Sequence, residues 1–466
     1  MAARVTGQPV KVALTRQMQF VLPGYRTPTI QRVRLGADAT GNLLAVGHEA
    51  YEQSSTLFEF AEQTTEATRH MYGAPNITTT HRLARLDVPT PRWMRAPGER
   101  PGMFALESAM DELAVLLDID LVELRVRNVI QTDPESGKPS SSRHLVECLR
   151  RGAERFGWSG RDPRLGVRRE GRWLVGTGVA SSTYQAHVGA AGATVRATPA
   201  GRFEVGVNAT DIGTGARTAL QLAADALAVP ADLVDLTIAD SDLPKARGAG
   251  GSAATSSWGW AVTKACRQLK AQIVDGIGPG GVEVSVDTEA ETGAQKSTKQ
   301  SAFGAHFVEA RVDLDSGMVR VPRMLGVFAA GTIVNPRTAR SQLIGGMTMG
   351  CRWLCTRRAS STSASMTTPT TTLPVTTSPP VQMSRGSRPS GSTSATARST
   401  RWAPRASARS ASSRRPLPSP RGLARHRHPG ARPADPAGQA AGGAARIART
   451  TPAVSRIVTY RLPPAG

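Results

Sequence analysis

The chain has 466 residues, with 58 lysines and arginines against 36 acidic residues, which gives a net charge of +22. No run of about 18 apolar residues occurs, so a membrane-spanning helix is excluded. The N-terminus lacks the layout of a secretory signal, and we therefore expect a cytoplasmic protein. Four cysteines in so long a chain exclude a disulfide scaffold, and without further ligand pairs they predict neither a zinc nor an iron–sulfur site.

The positive charge is concentrated in the last quarter of the chain. Residues 351–466 hold 19 arginines, no lysine and one acidic residue, a net charge of +18, whereas residues 1–350 carry only +4. This Arg/Ser/Pro-rich segment has too little apolar surface to offset the entropy of ordering, so we predict a disordered tail. Three interpretations are open: a natural low-complexity tail, an arginine-rich segment that holds nucleic acid by its phosphates, or an out-of-frame translation.

Strands and helices are predicted in turn along the body. The N-terminal run VKVALT and residues 30–38 are predicted strands, followed by helices over 101–120 and 120–130. The first of these helices has one apolar stripe at helical spacing, formed by Leu106, Met110, Leu113 and Leu117. The later elements are a hairpin (192–212), a helix (216–229), a strand (233–240), a helix (256–277), a surface loop (278–300) and a hairpin (302–331).

This order predicts an α+β protein with mixed sheets and flanking helices. Two subdomains, residues 1–165 and 166–350, are expected to precede the disordered tail, residues 351–466.

Glycine-rich turns precede several of the predicted helices. One such turn is ordinarily only a helix cap or a tight turn, but four of them favour a large polyanionic ligand, because helix N-termini attract anions. None matches the Walker pattern or GxGxxG, so neither of the common nucleotide-binding folds is supported. The four turns are MRAPGERPG (94–102), DIGTG (211–215), GAGGSAATSS (248–257) and VNPRTARSQLIGGMTMG (334–350), where Gln342 and Gly345-Gly346 are predicted at a helix start.

Other polar residues have an ordinary structural interpretation. His306, in a predicted strand between phenylalanines, is expected to be a hydrogen-bonded core or edge histidine. His70 and His81 lie in polar sequence and are expected in solvent. The acidic residues of the 101–117 helix are expected to form a solvated face and no acid–base pair: Glu107, Asp111 and Glu112.

At the four turns the sequence resembles the molybdenum-binding large subunit of the xanthine dehydrogenase and aldehyde oxidase family. The resemblance covers residues 1–350 and is carried by RLARLDVPTPRWMRAPGERPGMFALESAMDELA, NATDIGTGARTALQLAADAL, GAGGSAATSSWGWAV and IVNPRTARSQLIGGMTMG. It implies a molybdenum–molybdopterin cofactor, with the cytosine dinucleotide as one possible form. It also implies partner subunits that carry iron–sulfur clusters and FAD, and a small aldehyde or N-heterocycle as substrate.

The resemblance assigns cofactor contacts to seven residues. Arg95 matches the family arginine beside the molybdenum centre, and Gln342 matches a glutamine of the last pterin-contacting loop. The loop that cradles the pterin phosphates corresponds to Gly213, Thr214 and Gly215. The loop that passes by the metal corresponds to Gly251 and Ser252. No residue of the chain is implied as a metal ligand.

Two departures from the family pattern bear on activity. The glycine-rich metal-proximal loop is absent, which predicts weak retention of the cofactor. The Gly-Ile-Gly-Glu motif that carries the catalytic glutamate is absent as well, so no catalytic residue is assigned and little or no activity is expected.

The second departure points to a slipped reading frame. High-GC codons for residues 401–412 can be chosen that spell Met-Gly-Ser-Lys-Gly-Ile-Gly-Glu-Ile-Gly-Ile in the neighbouring frame, and the same shift over 352–360 and 426–440 can give further family-like runs. We therefore hypothesise that the chain is a truncated form of the family subunit that is out of frame after about residue 350. The codon of the catalytic glutamate would then straddle Ala408 and Arg409.

Two alternatives have no catalytic role. One is a non-enzymatic binding protein whose arginine-rich tail binds nucleic acid; a tail of accidental origin would bind it only nonspecifically, with a steep dependence on salt. The other is a structural remnant that still docks on the partner subunits.

Overall fold

A computed structural model describes residues 1–15, 17–21, 24–292, 297–356 and 454–461. All of these belong to one compact unit, which takes in residues 1–384 and 451–466; the other unit, residues 385–450, lies outside the described residues. Within the described ranges, no helix combines the length and the apolar character that a membrane span requires.

The described strands form three sheets, of which the first and third are mixed and the second is antiparallel throughout. The first has the order β12-β1-β2-β3, the second β11-β10-β5-β4 and the third β8-β7-β6-β9; pairing is antiparallel except for β2 with β3 and β7 with β8. The strands are β1 (Thr29–Ala37), β2 (Leu43–Ser55), β3 (Asn76–Leu86), β4 (Arg169–Glu170), β5 (Trp173–Gln185), β6 (Gly192–Ala197), β7 (Phe203–Val207), β8 (Val234–Ile238), β9 (Val282–Asp287), β10 (Ser301–Asp313), β11 (Val319–Ala329) and β12 (Val454–Arg461).

The long helices α4, α6 and α9 pack against these sheets. They are α1 (Ala2–Thr6), α2 (Met18–Val21), α3 (Thr68–Met71), α4 (Glu99–Leu117), α5 (Leu121–Arg127), α6 (Leu145–Phe156), α7 (Ala216–Ala219), α8 (Leu222–Leu227), α9 (Ala254–Gln272), α10 (Glu289–Thr292) and α11 (Pro336–Thr356). Single turns of 3₁₀ helix lie at 158–160, 231–233 and 250–252.

The larger hydrophobic core joins the first two sheets through helices. The α4 stripe is buried as its spacing predicts, with Leu106, Met110 and Leu113 at most 2% exposed. Val33 of the first sheet and Phe307 of the second lie in the same cluster. Burial of each such side chain contributes about 1.5–3 kcal/mol, so this helix holds the two sheets together.

The smaller core belongs to the third sheet. Val195 and Val205 lie on its inner face, and α9 covers them with Trp258, Val262 and Leu269, all at most 1% exposed. The third sheet and its helices are formed by the residues between β5 and β10. They are therefore inserted in the sequence between two strands that pair with each other in the second sheet. The division of the body near residue 165 stays a prediction.

The predicted mixed α+β class is confirmed, and so are most predicted elements. The stripe-bearing helix, both hairpins and the helix over 256–277 are present with shifted ends. The predicted helix over 216–229 is instead two short helices, α7 and α8.

Two local predictions are wrong. The run VKVALT forms no strand, because residues 9–15 carry neither helix nor strand and pair with nothing described. The predicted surface loop over 278–300 contains β9 and α10. Its valines alternate with polar residues, and Val284 and Val286 are buried against the third sheet's core. The period-2 pattern there indicates a strand.

The polar residues of α4 are also corrected. Glu107 is 5% exposed and accepts hydrogen bonds from the buried Arg125 guanidinium, which also pairs with Asp111 at 2.7 Å. His70 is 4% exposed and bonds Asp133 at 2.6 Å, so it is not solvated. These side chains find partners that lie far away in sequence, which a helical pattern alone does not reveal.

The predicted disordered tail lies mostly outside the described residues, and it is corrected at two places. Helix α11 continues past Gly350 to Thr356, and residues Val454–Arg461 form β12, antiparallel to β1 with Ile30 opposite Arg461. The sequence VSRIVTYR is rich in β-branched and aromatic residues, and the outer edge of β1 offers it backbone hydrogen bonds.

Candidate cofactor site

Helix α11 supplies the framework of the site. Asn335 precedes it and caps its first turn, because the Asn335 Oδ1 accepts the N–H groups of Arg337 and Thr338, both at 3.1 Å. Pro336 occupies the first helical position, where its missing N–H costs nothing. Gln342 and Gly345-Gly346 therefore lie in the second and third turns and not at the helix start that the sequence predicted.

Arg95 reaches this helix from the segment before α4. Its Nη2 donates to the carbonyl oxygen of Gln342 at 2.6 Å and lies 3.4 Å from the Gln342 Oε1. The guanidinium also covers the helix at Gly346, where an added Cβ would lie 3.2 Å from Nη2. Two segments separated by 247 residues thus meet through a fixed positive charge.

The 211–215 loop contacts the first turn of the same helix. A Cβ added at Gly215 would lie 2.9 Å from the Thr338 Cγ2, so only glycine permits this approach. The Asp211 Oδ1 accepts the N–H groups of Gly213 at 2.9 Å and Gly215 at 3.2 Å. These amides are already satisfied by a carboxylate, so the loop presents the exposed Thr214, and not those amides, to a ligand.

The 248–252 loop carries backbone strain beside a tyrosine. Ser252 has φ +57°, in the left-handed region, and follows Gly251 at φ +67°. A non-glycine residue held in this region is uncommon and costs free energy, which places strained positions preferentially at functional sites. The Ser252 side chain lies near Tyr184 of β5 and opposes the rise in the pKa of that tyrosine.

The structure brings two of the sequence-predicted segments to helix α11 through direct contacts. Arg95 bonds Gln342, and Gly215 packs on Thr338 one turn earlier in α11. No direct contact of the described residues joins the 248–252 loop to α11; Tyr184, near Ser252, has a pKa raised by burial and by the charge of Glu99 at the start of α4. Sequence reasoning missed Tyr184 because it lies on a strand outside the four glycine-rich turns. Glu99 lies inside the 94–102 turn but was not singled out there.

The side chains that face this region fit an anionic, phosphate-bearing cofactor. Among the described residues, Nε and Nη1 of Arg95 make no hydrogen bond, so two donor groups of an exposed cation are available to a ligand. Hydroxyl donors stand at Thr214 and Ser252. Arginine forks and hydroxyls are the donors that recognise phosphate.

A cavity of about 770 Å³ adjoins the site between α4, the second sheet and α11. Its walls are mostly apolar and include Met324 and Met347, and Gly346 connects it to the helix face beside Arg95. His306 faces it from β10 and bonds the Ser182 Oγ at 3.1 Å, as expected of a hydrogen-bonded strand histidine. The volume is in the range of small-molecule sites.

Comparisons with known proteins agree with this geometry. A family model described as the molybdopterin cofactor-binding domain matches residues 1–129, and a second model of the same description matches 151–278 and 279–372. The aldehyde oxidoreductase molybdenum-binding subunit PaoC of Escherichia coli O157:H7 is 40% identical over 380 residues, which cover 75% of this chain and 52% of that protein. The putative xanthine dehydrogenase molybdenum-binding subunit XdhA of Escherichia coli K12 is 27% identical, with coverages of 76% and 54%.

Solved structures show the same fold at lower identity. Aldehyde oxidoreductase from Desulfovibrio gigas superposes with a TM-score of 0.67 at 23% identity and covers 77% of this chain and 43% of its own. The reconstituted CO dehydrogenase from Oligotropha carboxidovorans gives 0.69 at 18%, with coverages of 82% and 57%. The chain spans about half the length of the curated relatives that it matches. On the family models and the 40% identity, this chain belongs to the molybdopterin cofactor-binding family of molybdenum-binding subunits of the aldehyde oxidoreductase and xanthine dehydrogenase type.

Proposed function

We propose that residues 1–350 bind the molybdenum–molybdopterin cofactor through the seven predicted residues. The observation that carries this is the bond between Arg95 Nη2 and the Gln342 carbonyl oxygen at 2.6 Å, which joins two of the family's cofactor-contacting segments. In this arrangement Arg95 neutralises an anionic group, and Gln342 holds the arginine in place. Thr214 and Ser252 donate hydroxyl hydrogen bonds, while Gly213, Gly215 and Gly251 give the backbone its left-handed turns.

The bound cofactor would supply the two-electron redox chemistry of hydroxylation. The adjoining apolar cavity would take the substrate, and its volume and lining suit a small aldehyde or N-heterocycle. Partner subunits with iron–sulfur clusters and FAD would accept the electrons. The cytosine dinucleotide form of the pterin remains a proposal of the same kind.

We further propose that this chain does not turn over substrate. No glutamate follows Glu309 in the sequence, so the family's Gly-Ile-Gly-Glu base is not supplied. Loss of a general base typically lowers the rate ~10²–10⁴-fold. DNA sequencing of the locus tests the frame-slip hypothesis, because a second frame that fails to spell Gly-Ile-Gly-Glu across codons 406–409 contradicts it.

The cofactor proposal is tested by metal content. The full chain is produced in a host that makes the cofactor, and molybdenum per chain is measured by mass spectrometry for the wild type and for Arg95→Met. A charge-assisted hydrogen bond is worth about 1.5–3 kcal/mol, so we expect roughly tenfold or more loss of affinity, seen as a fall in an already sub-stoichiometric metal content.

Arg92→Met is the matched control for this experiment. Arg92 is exposed in the same segment, and its guanidinium lies over the Phe58 ring at 5.2 Å. Its variant is expected to keep the wild-type molybdenum content. Wild-type chain without molybdenum, or equal contents in the Arg95 and wild-type proteins, would contradict the cofactor proposal, and measurable aldehyde turnover would contradict the proposed inactivity.

A further inference from the structure

The segment that carries Arg95 is bent in a way that its own residues do not favour. Ala96 has φ +53°, in the left-handed region that alanine rarely adopts, and Gly98 has φ +86°. A Cβ added at Gly98 would lie 2.2 Å from the carbonyl oxygen of Gln63. Such a bend persists only where the surrounding structure holds it.

A buried arginine holds one side of the bend. Arg26, from the segment before β1, is 2% exposed. Its Nη2 donates to the carbonyl oxygen of Arg95, and its Nη1 donates to that of Ala96 at 3.5 Å. These carbonyls flank the strained residue, so the guanidinium fixes the backbone and makes no contact with the Arg95 side chain.

A buried glutamate holds the other side. Glu62 has no exposed side-chain surface, and its Oε1 accepts hydrogen bonds from Arg26 Nη1 and from the N–H of Gly98 at 3.1 Å. The backbone of the same loop closes over the start of α4, since a Cβ at Gly102 would lie 1.9 Å from the Thr64 carbonyl oxygen. Arg26 and Glu62, which we call the Arg26–Glu62 clamp, therefore grip the 95–98 backbone through two carbonyls and one amide.

The bend decides where Arg95 points. The hydrogen bond from Arg26 to the Arg95 carbonyl oxygen fixes the backbone of Arg95. The Arg95 side chain extends from there to α11, where its Nη2 donates to the Gln342 carbonyl oxygen at 2.6 Å. Relaxation of Ala96 to an ordinary backbone conformation would turn this direction. The clamp thus sets the position of a charge that it does not touch.

We propose that Arg26 and Glu62 are positioning residues, whose buried ion pair holds the 95–98 bend so that Arg95 stands in the cofactor site. The ligand in this statement rests on the proposed function. The clamp itself is a property of the chain and is measurable without cofactor.

The first test is hydrogen exchange of the full-length chain, read on the peptide that covers residues 94–102. Arg26→Met and Glu62→Gln are expected to raise its exchange rate at least tenfold, while peptides of β6 and β7 keep the wild-type rate. Arg26→Lys is expected to fall between, since lysine still pairs with Glu62 but does not reach two carbonyls at once. Trypsin cleavage after Arg95 is expected to accelerate in the same order.

Arg125→Met is the matched control. Arg125 is also a buried arginine that pairs with a glutamate, Glu107 of α4, but its hydrogen bonds go to Glu107, Asp111 and Leu121 and not to the 95–98 bend. It is expected to destabilise the chain without selective exchange at 94–102. The clamp is overturned if the exchange rate of the 94–102 peptide in Arg26→Met equals that of the wild type. It is also overturned if this rate rises no more in Arg26→Met than in Arg125→Met.

The second test is molybdenum content of the same variants. Arg26→Met and Glu62→Gln are expected to lose molybdenum as Arg95→Met does, with partial rescue by Arg26→Lys. Faster exchange at 94–102 with unchanged molybdenum overturns the positioning role. Absence of molybdenum from the wild type overturns the proposed function and with it that role, and the exchange result then decides the clamp alone.

Discussion

Removal of the Arg125 guanidinium is expected to leave a carboxylate buried without a counter-ion. Arg125 has no exposed surface, and its Nε and Nη2 donate to Glu107 Oε2 and Asp111 Oδ1, both at 2.7 Å. Glu107 also accepts the Tyr72 hydroxyl at 2.6 Å and the Ser181 N–H at 2.6 Å. One arginine thus neutralises a carboxylate that joins α4, α5 and β5.

The expected cost of Arg125→Met follows from this burial. Breaking a buried ion pair by removing one partner costs about 3–5 kcal/mol, because the remaining charge is neither hydrated nor paired. Methionine fills part of the volume, so the cavity contribution is small. A loss of this size is a large share of a typical stability of about 5–15 kcal/mol.

Urea unfolding followed by circular dichroism measures the loss. The double variant Glu107→Gln with Arg125→Met removes both charges and is expected to lose less than the sum of the two single variants. Arg150→Met is the exposed control: Arg150 pairs with Glu123 at 2.6 Å on the surface, and its loss is expected to cost less than about 1 kcal/mol. A cost below about 1 kcal/mol for Arg125→Met would refute the argument that Glu107 depends on it.

Two further predictions concern stability. Gly152→Val is expected to lower the free energy of unfolding in urea by at least about 1–3 kcal/mol, because a Cβ there would lie 2.2 Å from the buried Phe307 ring. Gly178→Val is the control, since a Cβ at that position meets nothing within 4 Å. Equal losses of stability in the two variants would contradict the packing argument. Burial, with a smaller contribution from His81, lowers the pKa of His48 to about 4. Between pH 6.5 and 4 the unfolded chain therefore binds a proton that the folded chain does not, and the free energy of unfolding falls by up to about 3 kcal/mol as pH drops through that window. His48→Gln is expected to flatten the dependence of stability on pH, and an unchanged dependence in the variant would contradict this role of His48.

Local pattern was sufficient for most of the elements. The stripe of α4 predicts a helix because side chains four residues apart share a face, and the alternation in β1 and β10 predicts strands for the same geometric reason. The glycine-rich turns predicted a polyanionic ligand, and the family resemblance placed the proposed cofactor contacts in them; glycine allows their left-handed backbone without cost. In β9, which was predicted as a loop, the alternation of valines with polar residues does indicate a strand.

Pattern failed where a partner lay far away in the chain. A glutamate on the polar side of a helix is ordinarily solvated, but Glu107 meets Arg125, Tyr72 and Ser181 in the interior. Arg26 and Glu62 also have partners far away in the sequence and lie in no motif. Their role follows only from their hydrogen bonds to the backbone of the 95–98 bend.

The sequence by itself determined the α+β class, the positions of the glycine-rich turns and the sharp change of composition after Gly350, because these depend on local periodicity, glycine and charge. Only the tertiary structure decided that Arg95 meets Gln342 and that a buried ion pair holds the 95–98 bend. Those contacts join residues up to 247 positions apart, and the sequence encodes them only through the packing of the whole core.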